Sequence, residues 1–233
     1  MNDNSTHWHI DTSKKKLPKY IAIEGPIGVG KTSLAKLLAQ TFNYDTLLER
    51  AEENPFLDRF YANEKNAALS TQLFFLFQRT QQIHQMRQED MFRPVRVADF
   101  LMEKDHLFAE VTLDEDELQL YKQMYTHLAI DTQNSDTIKP DLVVYLQTST
   151  DVLLERIEKR GIEIEKNISK HYLDKLNEAY ARFFHFYDSS PLLIVNASDI
   201  DWINKPEDYR HLVEYLLNIT NGRHYYNPGS PLV

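Results

Sequence analysis

The segment Gly25-Pro26-Ile27-Gly28-Val29-Gly30-Lys31-Thr32 fits the pattern G-x-x-x-x-G-K-[ST] in full and uses three of the chain's six glycines. The apolar run Tyr20-Ile21-Ala22-Ile23 leads into it, and Leu34, Leu37, Leu38 and Phe42 mark one face of a helix after it. The pattern thus sits between a predicted strand and a predicted helix, the setting in which it carries chemistry. Glycines there let backbone N–H groups wrap a polyphosphate with no Cβ in the way. The helix beginning near Lys31 adds its free N–H groups and the positive end of its dipole. Lys31 then reaches the β- and γ-phosphates, and the hydroxyl of Thr32 is offered to Mg²⁺. Gly25, Pro26, Ile27, Gly28, Val29, Gly30, Lys31, Thr32 and Ser33 form the expected nucleotide cradle. The motif predicts a nucleoside triphosphate. It leaves open whether the γ-phosphate is hydrolysed, sensed or transferred.

Further short apolar runs occur at residues 46–48, 95–98, 142–146 and 192–195, alternating with helical patterns. Strands of this kind separated by helices predict an α/β fold, a five-stranded parallel sheet with helices on both faces. Thr112 and Glu115 read as a capping box ahead of Leu118, Tyr121, Met124, Tyr125 and Leu128. Tyr172, Leu173, Leu176, Ala179, Tyr180, Phe183 and Phe184 form a continuous helical stripe, and Pro206 suits a first helical turn. Residues 1–18 read as a flexible polar leader and 221–233, with Pro228, Gly229 and Pro231, as an irregular tail. One domain is expected over 19–220.

Composition removes several function classes. A net charge of −9 disfavours a general nucleic-acid binder, and no apolar run approaches the ~18 residues of a membrane span. The chain has no cysteine, so thiolate metal sites, disulfides and cysteine nucleophiles are excluded. The polar start, Met1 to His7, lacks the basic-then-apolar pattern of a secretory signal, and a cytoplasmic location is expected. Nine scattered histidines without an H-E-x-x-H pattern give no transition-metal site.

The phosphate loop, preceded by Glu24, is one of several segments whose order resembles the deoxyribonucleoside kinase family, in particular its bacterial deoxyadenosine/deoxyguanosine branch. The others are Glu49 with Glu53-Asn54-Pro55-Phe56-Leu57 and Tyr61, Gln72 with Arg79, Asp99, Pro140-Asp141 ahead of the 142–146 run, and Arg156-Ile157-Glu158-Lys159-Arg160-Gly161. The resemblance runs from about Tyr20 to about Leu217. It implies a P-loop kinase with a short arginine-bearing lid that transfers the γ-phosphate of ATP to the 5′-OH of a deoxynucleoside, purines favoured, in nucleotide salvage. It implies Mg²⁺ as cofactor and a homodimer as the assembly.

By the same resemblance Glu49 is the general base, a role also suited to a carboxylate at the carboxyl end of a strand. Asp99, also at a strand end, approaches Mg²⁺ together with Thr32. Gln72 and Arg79, seven apart on one helical face, hold the base. Arg156 and Arg160, four apart, grip the transferring phosphoryl group, and Gly161 ends their helix. Tyr61 and Glu165 hold the 3′-OH. The chain departs from the family after Asp99, where Phe100 and Leu101 replace arginine and serine. The stretch to Phe108 is one residue short, so Asp105 is the expected base-contacting aspartate at an altered spacing. Ile162 stands where family lids often carry another arginine. Two alternatives remain at this point: a nucleoside monophosphate kinase such as thymidylate kinase, and a non-catalytic ATP-binding paralogue.

Overall fold

In the computed structural model, which describes residues 15–64, 66–89, 95–129 and 139–228, the side chains of each central strand alternate between two cores. On β1 (Tyr20–Glu24), Ile21 and Ile23 join one core and Tyr20 and Ala22 the other. On β4 (Leu142–Gln147) and β5 (Leu192–Asn196) the same split separates Val144 from Val143 and Leu193 from Ile194. Burial on both faces is what turns these strands into unbroken apolar runs.

One face is covered by α1 (Lys31–Phe42), α6 (Thr150–Arg160) and α8 (Pro206–Leu216), through Leu34, Leu38, Leu153, Leu212 and Val213. The other is covered by α4 (Asp105–Thr112) and α7 (Lys170–Phe186), where Leu107, Leu176, Tyr180 and Phe184 pack. The ring of Phe184 stacks on Tyr145 of β4 at 4.2 Å. The remaining helices are α2 (Leu57–Tyr61), α3 (Ala67–Glu89) and α5 (Glu115–Ala129). Leu76 of α3, Ala109 of α4 and Tyr121 of α5 make a third, smaller core.

The sheet is parallel throughout, in the order β2-β3-β1-β4-β5-β6, with β2 at Asp45–Leu47 and β3 at Arg96–Ala98. Among the described residues it has six strands where five were expected. The sixth, β6 (Arg223–Tyr226), lies in the segment read as an irregular tail. As an edge strand it pairs with β5 alone, and its Arg-His-Tyr-Tyr residues stay partly exposed, so no apolar run announces it. Most of the leader expected over 1–18 lies outside the described residues.

Helix ends follow local chemistry. The hydroxyls of Ser149 and Ser169 accept from the backbone N–H groups of Val152 and Tyr172 and cap α6 and α7. Gly161, at φ 68°, closes α6 as expected. The capping box of α5 is shifted from the one expected. Asp114 accepts from the N–H of Glu117 at 2.9 Å and the carboxylate of Glu117 answers at 3.4 Å, whereas Thr112 is the last residue of α4. Leu113 is extended, and this break moves the cap to Asp114.

Candidate active site

The carboxyl ends of β1, β2 and β3 open onto a cleft of roughly 780 Å³, where open α/β sheets place their ligands. Its first wall is the glycine loop. Gly30 caps α1 at φ 105°, and a Cβ there would stand 2.7 Å from the ring of Trp202. Both the left-handed backbone and the close approach require glycine. The Lys31 ammonium donates to the carbonyls of Gly25 at 2.7 Å and Pro26 at 3.2 Å, folding back over the loop it serves. Burial, aided by nearby Lys104, pulls the Lys31 pKa down.

Asp99 follows β3 and joins two elements. Its Oδ2 accepts from the Thr32 hydroxyl at 2.5 Å and its Oδ1 from the backbone N–H of Glu49 at 2.7 Å. Burial raises its pKa against those two hydrogen bonds. A carboxylate and a hydroxyl side by side at the mouth of the loop form a hard-oxygen pair suited to Mg²⁺, which takes one or two carboxylates and fills its other positions with water and phosphate oxygens.

Glu49 lies two residues beyond β2, on the cleft wall, with its side chain 20% exposed. Its Oε1 pairs with the guanidinium of Arg79 and lies 3.7 Å from the ammonium of Lys104. Burial would raise the pKa of this carboxyl, but Arg79 first, then Lys104 and Lys31, reverse that and hold it at about 2. Arg79 is 4% exposed and lies near the rings of Phe75, at 5.3 Å, and Phe100, at 5.9 Å. Two turns earlier on α3, Gln72 also lines the cleft and donates from Nε2 to the Thr112 hydroxyl at 3.3 Å. The seven-residue spacing of Gln72 and Arg79 does bring both to one site.

The far wall is the lid. A 3-10 turn at Glu163–Asn167 joins α6 to α7 and packs against α2. Arg160 and Glu165 form an ion pair at 2.5 Å, and both line the cleft with Tyr61 and Ile162. Burial pushes the Tyr61 hydroxyl's pKa up.

Arg160 lines the cleft, whereas Arg156 is held beside it by backbone carbonyls. Its guanidinium donates to the carbonyls of Val29 at 3.2 Å, Ala197 at 2.7 Å and Ser198 at 3.4 Å, so it ties the glycine loop to the segment after β5. Helical spacing predicts a shared face, and the carbonyls of Val29, Ala197 and Ser198 hold this guanidinium instead. The side chain of Asp105 lies outside the described residues.

Two groups that sequence reasoning passed over complete the site. Glu24, at the end of β1 and 0% exposed, accepts from the N–H groups of Gly25 at 2.9 Å and Leu101 at 2.8 Å and from the Tyr180 hydroxyl at 2.9 Å. Lys104, 1% exposed, pairs with it at 2.9 Å and lines the cleft. No motif in the sequence marked Lys104, which reads as a charge ahead of a helix.

The deoxynucleoside kinase family model matches residues 21–220. The chain is 36% identical over 203 residues to a deoxyguanosine kinase of Bacillus subtilis, covering 84% of this chain and 95% of that one. It is 30% identical over 205 residues to a deoxyadenosine kinase of Lactobacillus acidophilus, covering 84% and 94%. Among solved structures, the deoxyadenosine kinase of M. mycoides with bound dATP superposes with a TM-score of 0.72 at 26% identity, over 85% of this chain and 99% of that one. The same enzyme with dCMP and a flexible dCDP gives 0.71 at 27%. A phosphate loop, a strand-end carboxylate on a buried arginine and an arginine-bearing lid around one cleft are what such kinases need, and with a family match spanning most of its length the chain belongs to the deoxynucleoside kinases.

Proposed function

We propose that this kinase transfers the γ-phosphate of ATP to the 5′-OH of a purine deoxynucleoside, with Glu49 as the base. The observation that carries this reading is the geometry of Glu49. Its Oε1 faces Arg79 and Lys104, and among the described residues Oε2 has no protein partner and is left for a substrate hydroxyl. The hydroxyl oxygen bonds to the γ-phosphorus, the bond from that phosphorus to the β,γ-bridging oxygen breaks, and ADP leaves. The hydroxyl proton passes to Glu49. A carboxylate held near 2 is a weak base, which suits a loose transition state in which that proton leaves late and positioning does most of the work.

Lys31 exchanges the carbonyls of Gly25 and Pro26 for phosphate oxygens, and the loop N–H groups with the start of α1 hold the rest of the chain of phosphates. Thr32 and Asp99 would hold Mg²⁺, which when bound neutralises charge on the β- and γ-phosphates. Arg160 meets the transferring group from the lid, and the lid's packing on α2 keeps water out. Arg156 would reach that group only by leaving three carbonyls, so we assign it to holding the loop. Gln72 presents its amide to the base edge, and Tyr61 and Glu165 take the 3′-OH. Asp105 is kept as a further candidate for the base.

The purine preference draws on the deoxyguanosine and deoxyadenosine kinases among the relatives. An acceptor that already carried a phosphate would need cations of its own. Arg79 and Lys104 already face Glu49 and Glu24, which favours a nucleoside over a nucleotide. We also propose a homodimer, for which Phe77 on α3 and Leu120 on α5 offer exposed apolar surface, and a cytoplasmic location, which a chain without disulfides fits.

The test is ADP release from Mg-ATP in the presence of deoxyadenosine, deoxyguanosine, deoxycytidine or thymidine. Purines should give the highest kcat/KM, and Glu49→Gln should lower kcat by about 10²–10⁴-fold. A variant within about threefold of the parent on every acceptor refutes the base assignment.

A further inference from the structure

Lys104 occupies a place that local chemistry argues against. It ends the 3-10 turn Met102–Lys104 and caps the start of α4. A cation there meets the positive end of a helix dipole, and at 1% exposure it has given up its water as well. Glu24, Glu49 and the cleft together offset that cost.

The partners divide the work unequally. Glu24 already receives three neutral donors, from Gly25, Leu101 and Tyr180. What Lys104 adds at 2.9 Å is charge, and Glu24 in turn fixes the ammonium in place. Glu49 lies farther off, at 3.7 Å, within ion-pair range and beyond a hydrogen bond. The ammonium meets the same oxygen, Oε1, that Arg79 holds from α3. Two cations from different elements thus converge on one oxygen and hold the carboxylate from that side. At position 100 the side chain is a phenylalanine beside Arg79, so no cation comes from there.

We infer that Lys104 is a positioning residue for phosphoryl transfer, anchored on Glu24 and orienting the carboxylate of Glu49 so that Oε2 meets the acceptor hydroxyl. The inference rests on the assignment of Glu49 as base. It has a kinetic signature: loss of Lys104 misaims Glu49 and leaves the triphosphate cradle intact.

Lys104→Met alone leaves the buried Glu24 carboxylate without a counter-charge and can unfold the protein. The experiment therefore keeps Glu24 and adds Lys104→Arg, which leaves a cation beside it, as a conservative control. Lys104→Met, Lys104→Arg, Glu49→Gln and Lys104→Met combined with Glu49→Gln are compared with the parent by steady-state kinetics with Mg-ATP and deoxyadenosine, on variants whose circular dichroism matches the parent, and Lys104→Arg should recover at least about tenfold of the lost kcat. Lys104→Met should lower kcat by about 10²-fold, the cost of a misplaced reacting group, with the KM for ATP within about threefold. Added to Glu49→Gln it should cost less than about threefold more, because a residue that acts through Glu49 has nothing left to position. A kcat for Lys104→Met within threefold of the parent, or an equal loss with and without Glu49, overturns the inference. A rate that Glu49→Gln leaves unchanged overturns the base assignment and with it the role of Lys104, which separates the two failures.

Discussion

Replacing Arg79 by glutamine removes the cation that does most to keep Glu49 ionised. The carboxyl stands at about 2 against an ordinary 4.5, although burial pushes it the other way. A shift of that size corresponds to about 3 kcal/mol favouring the charged form, the net of an opposing burial and the cations Arg79, Lys104 and Lys31 together. Arg79→Gln should therefore destabilise the fold by on the order of 2–3 kcal/mol near pH 7, with the lost contacts to Phe75 and Phe100 included. The pairwise part is isolated by a double-mutant cycle with Glu49→Gln, read by urea unfolding. We expect a coupling energy of about 2 kcal/mol. Its sign with pH follows from a depressed carboxylate. The contribution is complete above the unfolded value of 4.5 and declines as pH falls toward 2. The difference between parent and Arg79→Gln should accordingly shrink on acidification below about pH 5. A coupling under about 0.5 kcal/mol, or a difference that acid leaves unchanged, would refute the electrostatic reasoning.

Three other outcomes are expected. Gly30→Ala places a Cβ 2.7 Å from Trp202 on a left-handed backbone, and calorimetry should show ATP binding weakened by about tenfold or more; an unchanged Kd contradicts the geometry of the loop. Gln72→Ala should raise the KM for the deoxynucleoside by about tenfold to a hundredfold and leave that for ATP alone, and a rise in the ATP value instead would displace Gln72 from the base site. Arg156→Met should loosen the glycine loop, weakening ATP binding and lowering Tm together. If kcat fell while both held, Arg156 would be acting on the phosphoryl group after all.

What could be read from the chain before its fold depended on whether the cause was local. The glycine loop is legible because the residues that make the left-handed turns are the motif itself. Strands β1, β4 and β5 are legible because burial on both faces leaves only apolar side chains. The edge strand β6 carries no such mark, since one neighbour and partial exposure allow Arg223 and His224 in a strand. Gln72 and Arg79 met because seven residues is two helical turns. For Arg156 and Arg160 helical spacing is not the whole story, because the carbonyls of Val29 and Ala197, distant in sequence, decide where one guanidinium goes. Lys104 was silent for a like reason. A lysine ahead of a helix reads as solvated charge until β1 brings Glu24 beneath it.

These placements also bear on how the cleft can accept a highly charged donor. Lys31, Arg79 and Lys104 lie among Glu24, Glu49 and Asp99, and each cation has a carboxylate within electrostatic reach. Before a nucleotide arrives, these inner charges balance, and the buried groups need no counter-ion from outside. A triphosphate therefore cannot be neutralised by Arg79 or Lys104 without stranding Glu49 or Glu24 in a dry site, at a cost of about 3–5 kcal/mol for each broken pair. Its charge must fall on groups not already committed. Those are the loop N–H groups, the start of α1, Lys31 once it leaves the carbonyls of Gly25 and Pro26, and a divalent ion beside Thr32 and Asp99. The acceptor meets the other half of the cleft, where the paired charges stay paired and orient a neutral nucleoside. The division into a triphosphate half with uncommitted donors and an acceptor half with committed ones is the physical reason this site fits a nucleoside better than a nucleotide.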